Sequence, residues 1–202
     1  DKCISCGACM KACPFGAISD RAQILNVINE FKAGRQVIAM FAPALEGEFG
    51  AGVPVAKLKK ALEQLGFEKA YEVGLGADAV AMAEAEELLE HLKAGLKMTT
   101  SCCPAFVHYV QTEFPKLKDH ISSNLSPMAM IAKYIKETTP NAKTIFIGPC
   151  TAKKMEVKLD TVSPYVDAAL TFEELQALFD SKDLDITSLP EDVLDNASYY
   201  GR

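Results

Sequence analysis

The sequence predicts an α/β fold, in which a mostly parallel sheet covered by helices follows a small cysteine-rich segment. Short apolar segments alternate with longer amphipathic ones from Gln36 onward. Strands separated by helices of this length pair in parallel and are covered on both faces. Four of the seven cysteines lie within the first 13 residues. We therefore predict two units, residues 1–33 and residues 36–202.

Each predicted element rests on a local pattern. Apolar residues at helical spacing predict a connector helix over 21–33, and Gly66 is a typical end for a helix over 54–67. Thr171 and Glu174 fit a capping box for the helix over 172–181. The other predicted helices are 77–95, a segment from Pro104, and 126–139; the predicted strands are 36–41, 69–74, 96–100, 142–148 and 167–170.

The composition and charge of the chain argue against nucleic-acid binding and membrane insertion. The net charge is −6 and there is no basic stripe with interleaved aromatics, so we expect no nucleic-acid binding. No apolar run approaches the roughly 18 residues that span a membrane, and the first residues lack the basic and apolar regions of a signal peptide, so we expect none. The clustered cysteines indicate metal ligands in a reducing compartment. We therefore expect a cytoplasmic protein with no membrane partner, and the pattern leaves its oligomeric state open.

The first cysteine run, "CISCGACMKACP", places Cys3, Cys6, Cys9 and Cys13 before Pro14. This spacing is typical of bacterial ferredoxins and predicts a [4Fe–4S] cluster. A zinc site is the alternative, but its paired cysteines usually lie farther apart along the chain. Cys13 either completes this cluster or binds a second one upstream, and the abrupt start of the chain favours the second.

The other three cysteines follow predicted strands. Cys102 and Cys103 lie between a predicted strand and a predicted helix, and Cys150 follows its own strand. The carboxyl ends of parallel strands meet at one edge of a sheet, where ligands bind. Lys153 lies three residues after Cys150 and would share its face on a helical turn. A vicinal disulfide, or two core cysteines, is the alternative interpretation of the adjacent pair.

Two motifs carry a resemblance to a known family. "TSCCPAF" followed by "GPCTAKKME" resembles the first two signature motifs of the iron-only ([FeFe]) hydrogenases, and the preceding ferredoxin-like run also fits that family. The resemblance covers essentially the whole chain. It implies a [4Fe–4S] cube bridged through a cysteine to a two-iron centre that carries CO, cyanide and a dithiolate. It also implies reversible reduction of protons to H2, with an electron-carrier protein such as ferredoxin as partner.

The resemblance assigns different roles to the adjacent cysteines. Cys103 and Cys150 match cube ligands, which must be thiolates. Cys102 matches the thiol that passes protons to the dithiolate amine, because a relay must keep an exchangeable proton. Lys153 matches a lysine that hydrogen-bonds a cyanide ligand, whereas neighbouring Lys154 is predicted to be a solvated surface lysine.

A proton path is also implied by the resemblance. Glu84 and Glu87 lie three residues apart on a predicted helix, so one face carries both. With Ser122 they align with the family's relay, which gives the order Cys102, Glu84, Ser122, Glu87. A solvated face is the alternative for this Glu-rich helix. His91 stands where the family carries an arginine at the mouth of the path, and we predict a surface histidine there. His108 and His120 have no motif support and are predicted to be surface or helix-cap residues.

Three departures from the family pattern affect these expectations. Phe106 stands where well-studied members have Trp, and Gly148 stands where they have Met. Both changes are seen in divergent branches of sensory character. With Cys102 as a relay, only two cube ligands remain, and in the family a third motif downstream supplies the others. We therefore expect an inactive piece of a longer protein, cut at both ends; a hydrogen- or redox-sensing module and an iron–sulfur assembly factor are the alternative functions.

Overall fold

The chain forms one parallel sheet with helices on both faces, as described for residues 2–50 and 52–196 of a computed structural model. The strands are β1 (Val37–Phe41), β2 (Lys69–Glu72), β3 (Lys143–Ile147) and β4 (Ala168–Leu170). The α-helices are α1 (Ala8–Ala12), α2 (Ile24–Lys32), α3 (Val55–Leu65), α4 (Val73–Lys93), α5 (Pro104–Glu113), α6 (Pro127–Thr138), α7 (Thr151–Glu156) and α8 (Phe172–Asp180). Short 3-10 helices cover Pro43–Leu45, Pro115–His120 and Ile186–Ser188. Within those residues, no helix combines the length and the apolar character needed to cross a membrane.

The sheet has the strand order β2-β1-β3-β4, and all neighbouring strands run parallel. Phe41, at the end of β1, lies opposite both Glu72 and Ile147. The strands therefore end at one edge of the sheet. At this edge α4 begins directly after β2, and a short loop leads from β3 to α7. This architecture confirms the predicted fold class.

The central strand β1 is buried along its whole length. Val37, Ala39 and Phe41 join one apolar cluster with α3 and α8, whereas Ile38 and Met40 join a second cluster with α6. Successive side chains of a strand point to opposite faces of the sheet. A strand that is covered on both faces needs an uninterrupted apolar run, and "VIAMF" supplies it.

The predicted strand over 96–100 is wrong. Thr99 forms an isolated parallel bridge with Ile121, in which the Thr99 N–H donates to the His120 carbonyl at 2.7 Å and the Ser122 N–H donates to the Thr99 carbonyl at 2.8 Å. This segment lies outside the four-stranded sheet, so it has no ladder partner to extend the pairing. As a result, Cys102 and Cys103 are placed by the start of α5 and not by a strand of the sheet. The strand predicted over 69–74 is also shorter, because its last two residues begin α4.

Helices α4 and α6 cross at very close range. A methyl group added at Gly76 would lie 2.2 Å from the carbonyl oxygen of Pro127 and 3.2 Å from the Cβ of Ile131. Real Cβ atoms do not approach backbone this closely, so Gly76 is required by packing. The crossing fixes α4, the helix that carries Glu84 and Glu87, against the sheet.

The prediction that Lys154 is a solvated surface lysine is wrong. Its exposed fraction is 6%, and its ammonium group pairs with Asp20 and, at 2.6 Å, with Glu174. Glu174 also forms the predicted capping box with Thr171 and accepts a hydrogen bond from the Gln23 N–H at 2.8 Å. This buried polar network ties the N-terminal segment to α7 and α8. Its anionic members lie far from Lys154 in sequence, so a local pattern could not reveal them.

Candidate metal centres

The first cysteine run lies at the surface around the short helix α1. Ser5 (φ 57°) and Gly7 (φ 77°) both have left-handed backbone conformations, which turn the loop sharply between its cysteines. The thiols are free, and those of the first three cysteines are exposed: Cys3, Cys6 and Cys9. None of residues 2–20 is buried, so this loop lies outside the apolar core.

Backbone N–H groups surround the sulfur atom of Cys13. Hydrogen bonds from Ala17 and then Phe15 outweigh the effect of desolvation and lower the pKa of the Cys13 thiol. A thiolate is the form that binds a metal. The turn that follows Pro14 thus favours a charged sulfur atom at this position.

The donor set of this run fits a cube better than a single ion. In residues 2–50 and 52–196, no three His, Cys, Asp or Glu side chains converge closely enough to hold one metal ion. A [4Fe–4S] cube has four irons, each bound by its own cysteine, so its ligands surround the cluster and do not meet at a point. Four thiols in ferredoxin spacing match that requirement in number and chemistry.

The other cysteines lie immediately before two neighbouring helices. Cys103 is the last residue before α5, and Cys150 is the last residue before α7. Both helices pack against each other. Cys102 and Cys103 are exposed free thiols, and Cys150 is a partly buried one. Cys150 follows β3, as predicted, so two loops present thiols beside the same edge of the sheet.

Lys153 joins these two loops. Its exposed fraction is 9%, and its ammonium group donates to the carbonyl oxygen of Cys102 at 3.3 Å and to Glu156 at 2.6 Å. A buried lysine needs such partners because burial of an unpaired charge is costly. The contact joins the "SCCP" loop to the "GPCTAKK" loop, and we call the region between the two loops the crevice.

Glu84 reaches the same crevice from α4. Its carboxylate accepts a hydrogen bond from the Ser101 N–H at 3.2 Å, one residue before Cys102. Across the described residues, no hydrogen bond joins Glu84 to Ser122. The four residues of the expected proton path are therefore neighbours, but they do not form a continuous chain of hydrogen bonds.

Glu87 lies one turn further along α4 and is surrounded by donors. Its carboxylate accepts from the Ser122 hydroxyl at 2.6 Å, from the N–H and hydroxyl of Ser123, and from the Asn124 amide at 2.8 Å. Desolvation acts to raise the pKa of Glu87, but these hydrogen bonds outweigh it and lower the pKa. The carboxylate of Glu87 is thus fixed by hydrogen bonds and is not part of a freely solvated helix face.

Sequence reasoning missed several partners of these groups. Asn124 donates to Glu87, Glu156 pairs with Lys153, and the backbone N–H of Ser101 binds Glu84. The stretch "SSN" after Ile121 contained a signal, since three small polar residues in a row suit an anion. Nothing local marked Glu156 as the partner of a functional lysine.

Two of the histidines are fixed by backbone carbonyls. The Nδ1 of His91 lies 3.0 Å from the Glu87 carbonyl oxygen, and the Nδ1 of His120 lies 2.6 Å from that of Lys97. Because a carbonyl only accepts, Nδ1 carries the proton in both rings. All three histidines, including His108, are half-buried at the surface of the chain.

Two family models match the chain over most of its length. Residues 35–202 match the model described as "Iron only hydrogenase large subunit, C-terminal domain", and residues 1–19 match the "4Fe-4S binding domain". The chain belongs to the iron-only hydrogenase large-subunit family. The boundary between its two predicted units stays a prediction, although the two family matches divide the chain in a similar way.

Similar proteins include hydrogenases of known name. The chain is 31% identical over 206 residues to iron hydrogenase 1 of Clostridium pasteurianum, with 91% of this chain and 36% of that protein covered. It is 30% identical over 221 residues to the NADP-reducing hydrogenase subunit HndD of Solidesulfovibrio fructosivorans, covering 96% of this chain and 38% of that one. An apo [FeFe]-hydrogenase HydA1 variant from Chlamydomonas reinhardtii superposes with a TM-score of 0.77 at 26% identity, over 87% of this chain and 52% of that one.

A further relative has a different activity. The chain is 24% identical over 225 residues to the cytosolic Fe-S cluster assembly factor NAR1 of Yarrowia lipolytica, with 94% of this chain and 45% of that protein covered. The chain thus spans between about a third and a half of the length of these relatives. Family membership and fold follow from the comparisons, whereas the activity of the whole protein requires a separate argument.

The departure at Gly148 has a structural reason. A methyl group at Gly148 would lie 2.6 Å from the Cζ of Phe146 and 3.1 Å from the Cβ of Ala42. The ring of Phe146, with an exposed fraction of 3%, therefore fills the space into which a larger side chain would project. Phe106, the other departure, is 40% exposed at the start of α5. Phe146 thus excludes a larger side chain at position 148, whereas Phe106 lies at the surface.

Proposed function

We propose that this chain is the part of an iron-only hydrogenase that holds the N-terminal [4Fe–4S] cluster and one side of the active-site crevice. The reaction is the reversible reduction of protons to H2. The observation that carries the proposal is the contact between Lys153 and the Cys102 carbonyl oxygen, which brings the two cysteine motifs to one crevice. A zinc-binding or purely structural role would not require a buried cation between two thiol-bearing loops.

The N-terminal run serves as the entry point for electrons. The cysteines that hold its cluster are Cys3, Cys6 and Cys9, with Cys13 either as the fourth ligand or as a ligand to an upstream cluster. The electron donor is a carrier protein such as ferredoxin, and the compartment is the cytoplasm. The exposed position of the loop supports this role, because a carrier protein must approach the cluster closely.

The crevice supplies part of the ligand set for the active-site cube. Cys103 and Cys150 fit two of its four thiolate positions, and Lys153 provides a cationic donor for an anionic ligand. The remaining thiolates come from further residues of a longer protein, since outside the first run the sequence holds only Cys102 besides these two. When bound, the cube with its two-iron centre supplies the redox chemistry. The chain's own residues orient it and move protons.

Proton transfer falls to the exposed thiol and the acids on α4. Cys102 is assigned no iron, so its thiol is free to pass a proton, and Glu84 accepts a hydrogen bond from the N–H of the preceding residue, Ser101. Ser122 donates to Glu87, which forms the outer part of the path. The step between Glu84 and Ser122 requires a rotation of the Glu84 side chain or a bridging water. General acid–base steps of this kind contribute roughly 10²- to 10⁴-fold to rate.

Cysteine-to-serine substitutions in the full-length protein test this assignment. In Cys102→Ser, we expect H2 turnover to fall by about 10² or more while the iron content stays at the wild-type level. In Cys103→Ser, we expect the iron content of the active site to fall, because a ligand is lost. Full turnover by Cys102→Ser, or an equal loss of iron in both variants, would contradict the division of roles.

A second candidate is a hydrogen- or redox-sensing module with the same site. The packing at Gly148 favours it, because the ring of Phe146 changes the surroundings of Cys150 two residues away. A sensor would bind its clusters and change redox state under H2 but turn over slowly. Likeness to NAR1 makes iron–sulfur assembly a third candidate, which would bind cubes without a two-iron centre. Infrared bands of CO and cyanide in the matured protein would separate the hydrogenase and the sensing module, which both hold a two-iron centre, from the assembly factor, which does not.

A further inference from the structure

Helix α7 faces two sites at once. Lys153 points into the active-site crevice, where it donates to the Cys102 carbonyl oxygen. Thr151 and Lys154 point the other way, toward the N-terminal segment: the Thr151 hydroxyl donates to the Ser5 carbonyl oxygen at 3.1 Å, and Lys154 pairs with Asp20. One six-residue helix therefore touches the loops of both candidate clusters.

The contact at Thr151 is close. A methyl group at Gly7 would lie 3.0 Å from the Thr151 hydroxyl oxygen, and Gly7 has a left-handed φ of 77° that favours glycine. Ser5 also has a left-handed backbone, a conformation that is unfavourable for a non-glycine residue. Its carbonyl oxygen is the one that Thr151 binds. The loop between Cys3 and Cys9 thus takes an unfavourable shape at the point where the hydroxyl of Thr151 holds it.

Thr151 also has a special place in the sequence. It directly follows Cys150, the proposed cube ligand, while Ser5 directly precedes Cys6, a ligand of the N-terminal cluster. A single hydrogen bond, between Thr151 and Ser5, therefore connects the ligand loops of the two clusters, because each residue lies next to a ligand. The rate of electron transfer between two centres falls steeply with their separation, so a contact that fixes this approach controls the rate.

We propose that Thr151 is a positioning residue for electron transfer, whose hydroxyl holds the N-terminal cluster loop against the ligand loop of the active-site cube. This inference rests on the proposed function. In the step concerned, a reduced one-electron carrier protein reduces the N-terminal cluster, which then passes that electron to the cube. One centre is oxidised as the other is reduced, and no bond is made or broken.

Two residues of α7 hold different parts of the N-terminal segment, which an exposed ion pair between Lys2 and Glu113 at 3.3 Å also links to α5. Lys154 holds its far end through Asp20, in a network with Glu174 that is largely buried. Thr151 holds the cluster loop itself through one partly exposed hydrogen bond. Loss of the Thr151 hydroxyl should therefore shift the loop while leaving the segment attached. This separation makes the role of Thr151 measurable.

The first test uses Thr151→Val and Thr151→Ser in the full-length protein with both clusters loaded. Valine has the same shape but no hydroxyl, whereas serine keeps the donor. The N-terminal cluster is reduced by a light flash with a photosensitiser, and the reduction of the active-site cube is followed by absorbance. We expect Thr151→Val to slow this internal step by about tenfold or more while both midpoint potentials stay unchanged, and Thr151→Ser to keep the wild-type rate. A wild-type rate in Thr151→Val, or an equal loss in Thr151→Ser, would overturn the proposal.

The second test does not depend on hydrogenase activity. This chain is loaded anaerobically with iron and sulfide at the N-terminal run, and deuterium uptake is measured over residues 2–13. We expect faster uptake in Thr151→Val than in the wild type and no change in Thr151→Ser; equal uptake in all three proteins would reject the contact. If the active-site cofactor never loads, the proposed function fails, and this second result still decides the role of Thr151.

Discussion

The sheet and the N-terminal segment are held in different ways. All residues of β1 are buried, and apolar clusters cover both of its faces. By contrast, helix α1 contains no buried residue, and Phe15 beside it is 89% exposed. The N-terminal segment is attached by polar contacts, chiefly those of Thr151 and Lys154. The sheet is stabilised by apolar burial, whereas residues 2–20, the N-terminal segment, contain no buried residue. The core contacts of the unit begin only at α2, through Val27.

The difference shows where this fold places its chemistry. The residues proposed to bind iron lie outside the apolar core, on the N-terminal loop and at the starts of α5 and α7. A rigid scaffold that carries functional side chains on its loops is the common arrangement in α/β proteins. The scaffold should therefore fold without metal, and the N-terminal loop should depend on its cluster.

The largest effect is expected where the two regions are joined. Lys154→Met would leave Glu174 and Asp20 without their cation, and removal of one partner of a buried ion pair costs about 3–5 kcal/mol. We expect a loss of about 3 kcal/mol in the free energy of unfolding, measured by urea denaturation. The matched control is Lys158→Met, since Lys158 lies on the same side and is exposed. Equal midpoints for the two variants would mean that the polar network contributes little.

A substitution at the helix crossing tests the sheet region alone. Gly76→Ala places a methyl group 2.2 Å from the Pro127 carbonyl oxygen, and overpacking of this kind costs about 1–3 kcal/mol. We expect a lower thermal midpoint with unchanged iron uptake by the N-terminal run below that temperature. Gly52→Ala is the control, because a methyl group there meets no atom within 4 Å. An undiminished midpoint for Gly76→Ala would show that α4 and α6 can separate at no cost.

A smaller effect is expected at the outer end of the proton path. The hydrogen bonds that Ser122, Ser123 and Asn124 donate to Glu87 lower its pKa. Their contribution to stability is therefore complete above the usual carboxyl pKa of 4.5, and it is lost as pH falls through the lowered value. We expect Glu87→Gln to cost roughly 1 kcal/mol at neutral pH. The difference from the wild type should shrink below pH 4.5. Glu86→Gln, at an exposed neighbouring position, should show no such pH dependence; a constant difference across the range would refute the assignment.

Most of the architecture could be predicted from the sequence because it depends on local patterns. The apolar run of β1, the glycine after α3 and the capping box of α8 each mark their elements without reference to the rest of the chain. The failures depend on distant partners. Residues 96–100 have no strand of the sheet to pair with. Lys154 is buried because its charge is paired, and one of its partners, Asp20, lies 134 positions earlier in the sequence.

The candidate site was predicted in the same uneven way. Its cysteines, Lys153 and the acids of α4 came from the motifs and the resemblance they carry. The structure joins Lys153 to the Cys102 carbonyl oxygen and Glu84 to the Ser101 N–H, and the roles of these residues stay predictions. Asn124 and Glu156 were missed because their roles arise from the packing of α4 and α7 against other elements. The connection through Thr151 was missed for the same reason, since it joins positions 146 apart.

Deuterium uptake with and without the cluster tests the contrast between the two regions most directly. The chain is compared after anaerobic loading with iron and sulfide and after removal of iron with a chelator. We predict that residues 37–41 and 143–147 stay equally protected in both forms, because apolar burial holds the sheet. Residues 3–13 should be protected only in the loaded form. Loss of protection in the sheet on iron removal, or equal protection of residues 3–13 in both forms, would contradict the account.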